Sequence, residues 1–210
     1  MIKKTLTVIL IFILFSSFFN IFFSIPCRAA GDTLHVGTGQ TYSTIQEAIN
    51  AANTSDTVYV HTGTYSENIV INKSITLKGE SNQDTIIQGS GGKTIQITAN
   101  NVEIKNLKIK NNGGETYNIY IESISDCLIK NNILRDAGWN IYLQSSSENN
   151  IEDNSIKDND IGIYLSNADN NIIKSNNINS NSIYGIDIPS SYSSDNTIYL
   201  NDFSNNNQNA

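Results

Sequence analysis

Short segments of alternating apolar and polar residues recur through most of the chain, separated by asparagine, glycine and serine. One recurring phrase is an isoleucine, any residue, and then isoleucine or leucine, and it begins at Ile95, Ile119, Ile141, Ile163 and Ile186. The steps between these positions are 24, 22, 22 and 23 residues. Because successive side chains of a strand point to opposite faces, each phrase predicts a short β-strand with its isoleucines facing a core.

Two further patterns keep almost the same steps. In the first, an asparagine is followed two residues later by an apolar residue, as in Asn131 and Ile133, Asn154 and Ile156, Asn176 and Ile178, and Asn201 and Phe203. In the second, a single apolar residue recurs at Leu128, Ile151, Ile173 and Ile198. Each unit of 22–25 residues therefore contains three short strands. One such unit cannot bury its own apolar face, but stacked units can, so the repeat predicts an all-β solenoid, a single-stranded parallel β-helix.

Stacked rungs place equivalent residues in columns. We expect Ile119, Ile141, Ile163 and Ile186 to form one inward column, and Ile133, Ile156, Ile178 and Phe203 another. Asn131, Asn154, Asn176 and Asn201 are predicted to lie at one corner, where asparagine tolerates a left-handed backbone and stacked amides form a ladder. Asn118, Asn140, Gly162 and Gly185 are predicted at a second corner for the same backbone reason.

A different pattern precedes the repeat. Ile45, Ala48, Ile49 and Ala52 fall on one helical face, after a capping-box pattern of Ser43 with Gln46. Strands are predicted at 33–36 and 56–60, and a turn at 63–67. We interpret the helix as a cap over the N-terminal end of the core. The predicted domains are the cap at 30–66, β-helix rungs at 67–204 and a disordered tail at 205–210.

Three stretches of this region resemble a known family. YSTIQEAI (42–49), VYVHTGTYSE (58–67) and ITLKG (75–79) are similar to the opening of right-handed parallel β-helix proteins of the pectin-lyase-like fold. The asparagine-rich rungs resemble the parallel β-helix repeats of the NosD-type periplasmic family and of archaeal and bacterial surface proteins. The resemblance covers most of residues 33–204 and implies a right-handed solenoid. It implies no single activity, because lyases, esterases, epimerases, adhesins and binding proteins share this fold.

The first residues are typical of a targeting segment. Lys3 and Lys4 precede an apolar run over 6–25, and small residues at Cys27 and Ala29 suit signal-peptide cleavage after Ala29. An uncleaved N-terminal membrane anchor over 1–29 is the alternative. Either reading predicts a secreted or cell-envelope protein, periplasmic in a Gram-negative cell.

Charge narrows the choice of partners. The net charge is −7, and removal of the leader would take away only positive charges. The chain has no basic patch, which argues against nucleic acid as a partner and leaves the N-terminal segment as the only predicted contact with a membrane.

Aromatic residues occupy outward positions of the repeat. Tyr120, Tyr142, Tyr164 and Asp187 should form one solvent-facing column, and Tyr117, Trp139, Ile161 and Tyr184 a neighbouring one. A tyrosine has an apolar face and a polar tip, so stacked tyrosines suit sugar rings. The candidate ligand-binding residues are therefore Tyr120, Tyr142, Tyr164, Asp187 and Trp139. The alternative is that these aromatics only stabilise the sheet by cross-strand packing.

Two aspartates are the candidates for catalysis. Asp136 and Asp158 fall on neighbouring rungs, so their carboxyl groups would lie about 5 Å apart, a separation compatible with acid–base or nucleophilic chemistry on sugars. The same pair, with Asp160 nearby, could bind calcium. Arg135 adjoins Asp136. The alternative reading is that both are solvated turn residues.

Copper ligands are scarce. A copper site uses histidine, cysteine and methionine, and without its leader the chain offers His35, His61 and Cys127. Cys127 is expected to pack as a small apolar residue. We therefore predict no metal site and no cofactor, with calcium as the one open alternative.

The sequence favours a non-catalytic surface β-helix that binds a polysaccharide or cell-envelope glycan, or serves as an envelope scaffold. The alternatives are a polysaccharide lyase or hydrolase using Asp136 and Asp158, and a NosD-type accessory protein in metal-centre assembly. We also expect self-association, or a partner, at an uncapped C-terminal rung.

Overall fold

The computed structural model describes residues 31–112, 114–189 and 193–209. The predicted parallel β-helix is confirmed: the chain winds through three sheets, and from residue 57 onward successive strands join the first, second and third sheet in turn. The predicted leader lies outside the described residues. Within the described part of the chain, no helix is long and apolar enough to cross a membrane.

The three sheets contain eight, seven and six strands. The first sheet consists of β1 (Thr33–Val36), β2 (Thr57–Val60), β5 (Thr76–Gly79), β8 (Glu103–Lys105), β11 (Leu128–Lys130), β14 (Asn150–Glu152), β17 (Ile172–Lys174) and β20 (Thr197–Tyr199). The second consists of β3 (Gly63–Tyr65), β6 (Thr85–Gln88), β9 (Lys108–Lys110), β12 (Ile133–Arg135), β15 (Ser155–Lys157), β18 (Asn177–Asn179) and β21 (Asp202–Ser204). The third consists of β4 (Ile69–Ile71), β7 (Lys93–Ile97), β10 (Tyr117–Glu122), β13 (Trp139–Gln144), β16 (Ile161–Ser166) and β19 (Tyr184–Asp187).

The inward columns form the core, with two corrections to the predicted register. The column through Ile119, Ile141 and Ile163 pairs as expected. However, Leu134 pairs with Ile156, and Ile129 pairs with Ile151, so the expected positions of Ile133 and Leu128 were each wrong by one residue. Both segments carry two adjacent apolar residues, and only the backbone pairing decides which of the two faces the core.

An asparagine ladder runs along the corner between the first and second sheets, through Asn132, Asn154, Asn176 and Asn201. Asn154 Oδ1 accepts hydrogen bonds from the backbone N and from Nδ2 of Asn132 at 3.0 and 3.1 Å. Its Nδ2 donates to Asn176 Oδ1 and to two backbone carbonyls. The predicted ladder is thus confirmed, but it begins at Asn132 rather than at Asn131.

The left-handed backbone lies one residue before each ladder asparagine. Asn131, Asp153, Ser175 and Leu200 have φ angles of 53–56°. The ladder side chains are therefore selected for their hydrogen bonds and not, as expected, for a left-handed conformation. The turn itself is made by the residue that precedes them.

Two more asparagine ladders were not predicted from the sequence. Asn149, Asn171 and Asn196 form one before the first sheet, and Asn159, Asn181 and Asn206 form another between the second and third sheets. Both keep steps of 22 and 25 residues, the same as the ladder at Asn154, so the signal was present in the spacing. Together the three ladders satisfy buried backbone groups at all three corners of these rungs.

The predicted second corner at Asn118, Asn140, Gly162 and Gly185 is wrong. These residues lie inside strands of the third sheet and are buried. Asn118 Nδ2 donates to Asn140 Oδ1 at 3.1 Å. At Gly162 a Cβ atom would come within 2.4 Å of the carbonyl oxygen of Gly185, so glycine is required there by space rather than by backbone conformation.

The N-terminal region contains helix α1 (Ile45–Ala51), with Ile45, Ala48 and Ile49 fully buried. Its capping box is formed by Thr44 and Glu47, one residue later than predicted. The Glu67 carboxylate accepts hydrogen bonds from the first two amides of the helix. The Lys73 ammonium donates to three carbonyls at its end. The predicted role of the helix as a cap stays a prediction.

One expectation for the N-terminal region differs from the structure. Residues 63–65 form strand β3 rather than a turn, and Gly63, Thr64 and Tyr65 pair with β6. At the other end of the domain, Asn206 extends an asparagine ladder, and Gln208 bridges to Tyr184 of β19. The disorder expected for 205–210 stays a prediction. Association at the last rung stays a prediction.

Charged residues also form columns on the outer surface. Glu152 accepts hydrogen bonds from the ammonium groups of Lys130 and Lys174, both at 2.9 Å. These two bonds hold the pKa of Glu152 below its ordinary value. The in-register stacking therefore organises polar surface as well as core.

We predict that Asn154→Ala destabilises the protein by about 3 kcal/mol. The change leaves the buried backbone amide of Asn132 without its acceptor, which costs about 1–3 kcal/mol, and it also removes the hydrogen bonds that Asn154 Nδ2 donates to two backbone carbonyls. Denaturant unfolding followed by circular dichroism measures the difference. Asn179→Ala is the matched control, since the Nδ2 of this partly exposed asparagine donates, among the described residues, to Asn177 Oδ1 alone. Equal stability of the two variants would contradict a structural role of the ladder.

Candidate functional site

Aromatic residues form a compact surface on the outer face of the third sheet. The register pairs Tyr120 with Tyr142 and Tyr142 with Tyr164, as expected. The neighbouring column through Tyr117 and Trp139 also follows the predicted order. We call these five residues the aromatic platform.

The rings of the platform stack on one another. Tyr120 and Tyr142 lie 5.3 Å apart between centroids with an interplanar angle of 11°, and Tyr142 and Tyr164 lie 4.8 Å apart at 16°. Tyr117 stacks on Trp139 at 5.2 Å and meets Tyr120 and Tyr142 edge to face. Such pairs contribute about 0.5–1.5 kcal/mol each beyond the area they bury, so the platform stabilises the sheet.

Stacking covers the ring faces. Tyr142 lies between two other rings, and the Lys93 ammonium lies 3.4 Å from the centroid of Tyr120. Tyr164 differs, because the next residue in its column is Asp187, which offers no ring to stack on it. A ligand at the middle of the tyrosine column therefore meets ring edges and hydroxyl groups, and the Tyr164 end of this column has a ring face that no other ring covers.

The side chains of the platform differ in their exposure to solvent. Tyr120 is only 8% exposed, so the expectation that it faces solvent was wrong; Lys93 and Tyr117 pack against it. Trp139, Tyr142 and Tyr164 are partly exposed. The Tyr120 hydroxyl donates to Gln144 Oε1 at 2.9 Å, whereas no protein acceptor is recorded for the hydroxyls of Tyr142 and Tyr164 among the described residues. Those two hydroxyls are polar groups that the platform can present to a ligand.

Burial also changes the proton affinity of these side chains. Burial, followed by the negative charge of Glu122, raises the pKa of Tyr120 to about 12. Burial also raises the pKa values of Tyr142 and Tyr164. It likewise raises the pKa of Asp187, at the open end of the column. The platform tyrosines are thus held in the neutral, hydrogen-bonding form.

The two candidate catalytic aspartates lie together at one corner. The backbone N of Asp136 donates to the backbone O of Asp158 at 3.2 Å, and their φ angles are 60° and 58°. Ser180 and Asn205 have the same left-handed conformation on the next two rungs. Asp and Asn tolerate this backbone better than most residues, which gives both aspartates a structural reason to be present.

Arg135 joins the two carboxylates. Its Nε lies 2.9 Å from Asp136 Oδ2, and its Nη2 lies 3.3 Å from Asp158 Oδ2. Both aspartates, with Asp160 and Lys110, line an open polar groove of about 560 Å³. The described residues include no group of three or more His, Cys, Asp or Glu able to hold a metal ion, so the calcium expectation gains no support here.

The remaining candidates for metal binding lie in two places. Cys127 is buried in the core, as expected, and burial raises its pKa to about 11. His35 and His61 contact each other, with His35 Nδ1 at 3.0 Å from His61 Nε2. The sequence analysis did not foresee this contact. Aligning Thr33–Val36 with Thr57–Val60 would have shown it, because His61 then follows on the outward face two residues after Tyr59.

The fold and this arrangement define a right-handed parallel β-helix protein. A family model described as the right handed beta helix region matches residues 93–210, more than half of the chain. The chain belongs to this family.

One relative is similar in sequence over a short stretch. A cell surface glycoprotein of Methanothermus fervidus is 44% identical over 80 residues, which cover 36% of this chain and 13% of that protein. The chain therefore matches only a small part of that relative's length.

Solved structures with a similar fold include three pectin methylesterases. The enzyme from carrot has a TM-score of 0.60 at 13% identity, covering 84% of this chain and 64% of that one. The enzyme from Yersinia enterocolitica gives 0.58 at 18% identity, covering 72% and 58%. The enzyme from Erwinia chrysanthemi gives 0.53 at 18%, covering 76% and 67%. At these identities the likeness shows the fold alone.

We predict that Tyr120 ionises near pH 12, well after an ordinary tyrosine. Its folded-state pKa lies above the unfolded value, so its contribution to stability is present below about pH 10 and is lost as the pH rises toward 12. Absorbance at the tyrosinate band gives the titration. Tyr120→Phe should remove the latest step, whereas Tyr164→Phe should leave it. If an ionisation near pH 12 remains in Tyr120→Phe, its assignment to Tyr120 is wrong.

Proposed function

We propose that this protein is a cell-surface β-helix module that binds carbohydrate through the aromatic platform and does not catalyse a reaction. The observation that carries this proposal is the partly exposed column of Tyr142 and Tyr164, with hydroxyl groups that the described protein atoms do not use. Sugars are recognised by hydrogen bonds to their hydroxyls combined with contact to aromatic rings.

The proposed location rests on the relative. Its name, cell surface glycoprotein, describes an exposed protein, and it shares 44% identity with part of this chain. The leader predicted from the sequence points to the same compartment. A surface location would bring the aromatic platform into contact with envelope or extracellular glycans.

The charges around the platform favour a neutral glycan. Glu122 pairs with Gln144 beside the tyrosine column, and Asp187 follows Tyr164 at its open end. Lys93 is engaged with the ring of Tyr120. Because two carboxylates flank the partly exposed rings, a polyuronate would meet repulsion at short range. We therefore expect neutral polysaccharides to bind better than pectin.

The test is a pull-down of the full chain with insoluble cellulose, chitin and β-1,3-glucan, with pectin gel as the acidic comparison. Tyr142→Phe/Tyr164→Phe keeps both stacked rings and removes both hydroxyls. We expect this double variant to bind a neutral polysaccharide about 30-fold more weakly, since two hydrogen bonds of about 1 kcal/mol each are lost.

The matched control is Tyr199→Phe, which removes the hydroxyl of an exposed tyrosine on the first sheet. It should bind like the unmodified protein. Binding that is unchanged in the double variant would place the glycan elsewhere, and no binding by the unmodified chain would leave the platform with its packing role alone.

The alternative function is a polysaccharide lyase or hydrolase, favoured by the groove that contains Asp136 and Asp158. In the structure both carboxylates are paired with Arg135, so a base or nucleophile would have to leave this ion pair first. An accessory role in metal-centre assembly stays a prediction from resemblance.

We expect the full chain to release neither reducing ends nor unsaturated products from the same polysaccharides. Asp158→Asn is a clean probe, because asparagine tolerates the left-handed backbone at this corner, as Asn205 does. A measured turnover that Asp158→Asn abolishes would support the enzyme and contradict the binding module.

A further inference from the structure

The two histidines of the chain meet on the outer face of the first sheet. His35 lies in β1 and pairs with Tyr59 of β2, and His61 follows β2 directly. The backbone N of His61 donates to the backbone O of Val36 at 2.9 Å, which keeps His61 in line with the neighbouring rung. The two rings stack with centroids 5.2 Å apart and an interplanar angle of 28°.

Two ring nitrogens of the pair face each other. His35 Nδ1 and His61 Nε2 form a hydrogen bond at 3.0 Å, so one of them carries a proton, and an ion that binds both nitrogens must displace this proton. Nitrogens that bind one tetrahedral ion at about 2.0–2.1 Å are separated by about 3.3 Å. The pair would have to open by only about 0.3 Å to accept an ion between them.

A carboxylate orients one of the rings. Glu80 Oε2 lies 3.4 Å from His61 Nδ1 and accepts a hydrogen bond from the backbone N of Thr62 at 2.9 Å. This contact favours a proton on His61 Nδ1, which leaves the lone pair on Nε2, the nitrogen that faces His35. Histidines that bind metals typically donate their second nitrogen to such a carboxylate.

We propose that His35 Nδ1 and His61 Nε2 together bind one divalent first-row transition-metal ion, with Glu80 as the outer partner of His61. Imidazole nitrogen is a preferred ligand of zinc, nickel and copper ions. Because the protein supplies two ligands, water completes the coordination, and the ion exchanges readily with solvent.

The surroundings suit this role. His35 is exposed and the side chain of His61 is 29% exposed, so water reaches the open positions. Tyr59 packs against both rings, at 5.3 and 5.0 Å between centroids, and restrains them. The Lys78 ammonium lies 5.4 Å from the ring centroid of Tyr59, so it is occupied by that ring. This site is independent of the aromatic platform and of the proposed glycan binding.

The test is calorimetric titration of the purified full chain with Zn²⁺ alone. We expect one equivalent to bind, and we expect His35→Ala and His61→Ala each to abolish that binding. Glu80→Gln should weaken it about 10- to 100-fold, the usual effect of losing an outer partner. Glu148→Gln, a change of an exposed glutamate far along the chain, is the matched control and should bind Zn²⁺ normally.

A second measurement needs no variant. Electron paramagnetic resonance of the chain loaded with one equivalent of Cu²⁺ should show coordination by two imidazole nitrogens. Coordination without two nitrogens would overturn the proposal. Zn²⁺ binding of the same stoichiometry and affinity in a His35→Ala/His61→Ala variant would overturn it as well, as would the absence of binding in the unmodified chain.

Discussion

The buried asparagine ladders are the interaction on which the rest of this structure depends. A parallel solenoid must turn its backbone three times in every rung, and the amides and carbonyls at each turn are removed from water. Asn132, Asn154 and Asn176 satisfy these groups with one repeated side chain, which accepts from the rung before and donates to the rung after. Because an unpaired buried group costs about 1–3 kcal/mol, a corner without its asparagine would disfavour the stacking of the two rungs beside it.

Fixing the corners fixes the register, and the register organises the surface. With rungs aligned residue by residue, Tyr142 must lie over Tyr120, and Glu152 must lie between Lys130 and Lys174. The same alignment places Asp136 beside Asp158, at positions whose left-handed backbone favours small polar residues. Columns of identical chemistry therefore arise from the architecture, and a column alone does not demonstrate a ligand site. Hydroxyls and nitrogens that the packing does not use are stronger indicators of binding.

The aromatic platform shows why this distinction matters. Stacking at 4.8–5.3 Å uses the ring faces for sheet packing, so the faces that first suggested sugar binding are mostly covered. The hydroxyl groups of Tyr142 and Tyr164 and the end of the column at Asp187 are not covered by ring stacking. Under the proposed function, packing and recognition use different atoms of the same side chains.

The sequence by itself determined the solenoid, its period and the outward position of the tyrosine column, because apolar alternation and a 22–25-residue repeat admit few other structures. It did not determine which of two adjacent apolar residues faces the core. The core positions are Leu134 and Ile129, each one residue after the predicted position. Alternation permits either residue of such a pair, and only the interstrand hydrogen bonds select the one that faces inward. Tertiary structure also decided that Tyr120 is buried beneath Lys93 and that His35 meets His61. Those outcomes depend on contacts between residues more than twenty positions apart. The distances between such side chains are set by the length of each side chain and by the stacking of neighbouring rungs, and not by the local sequence pattern.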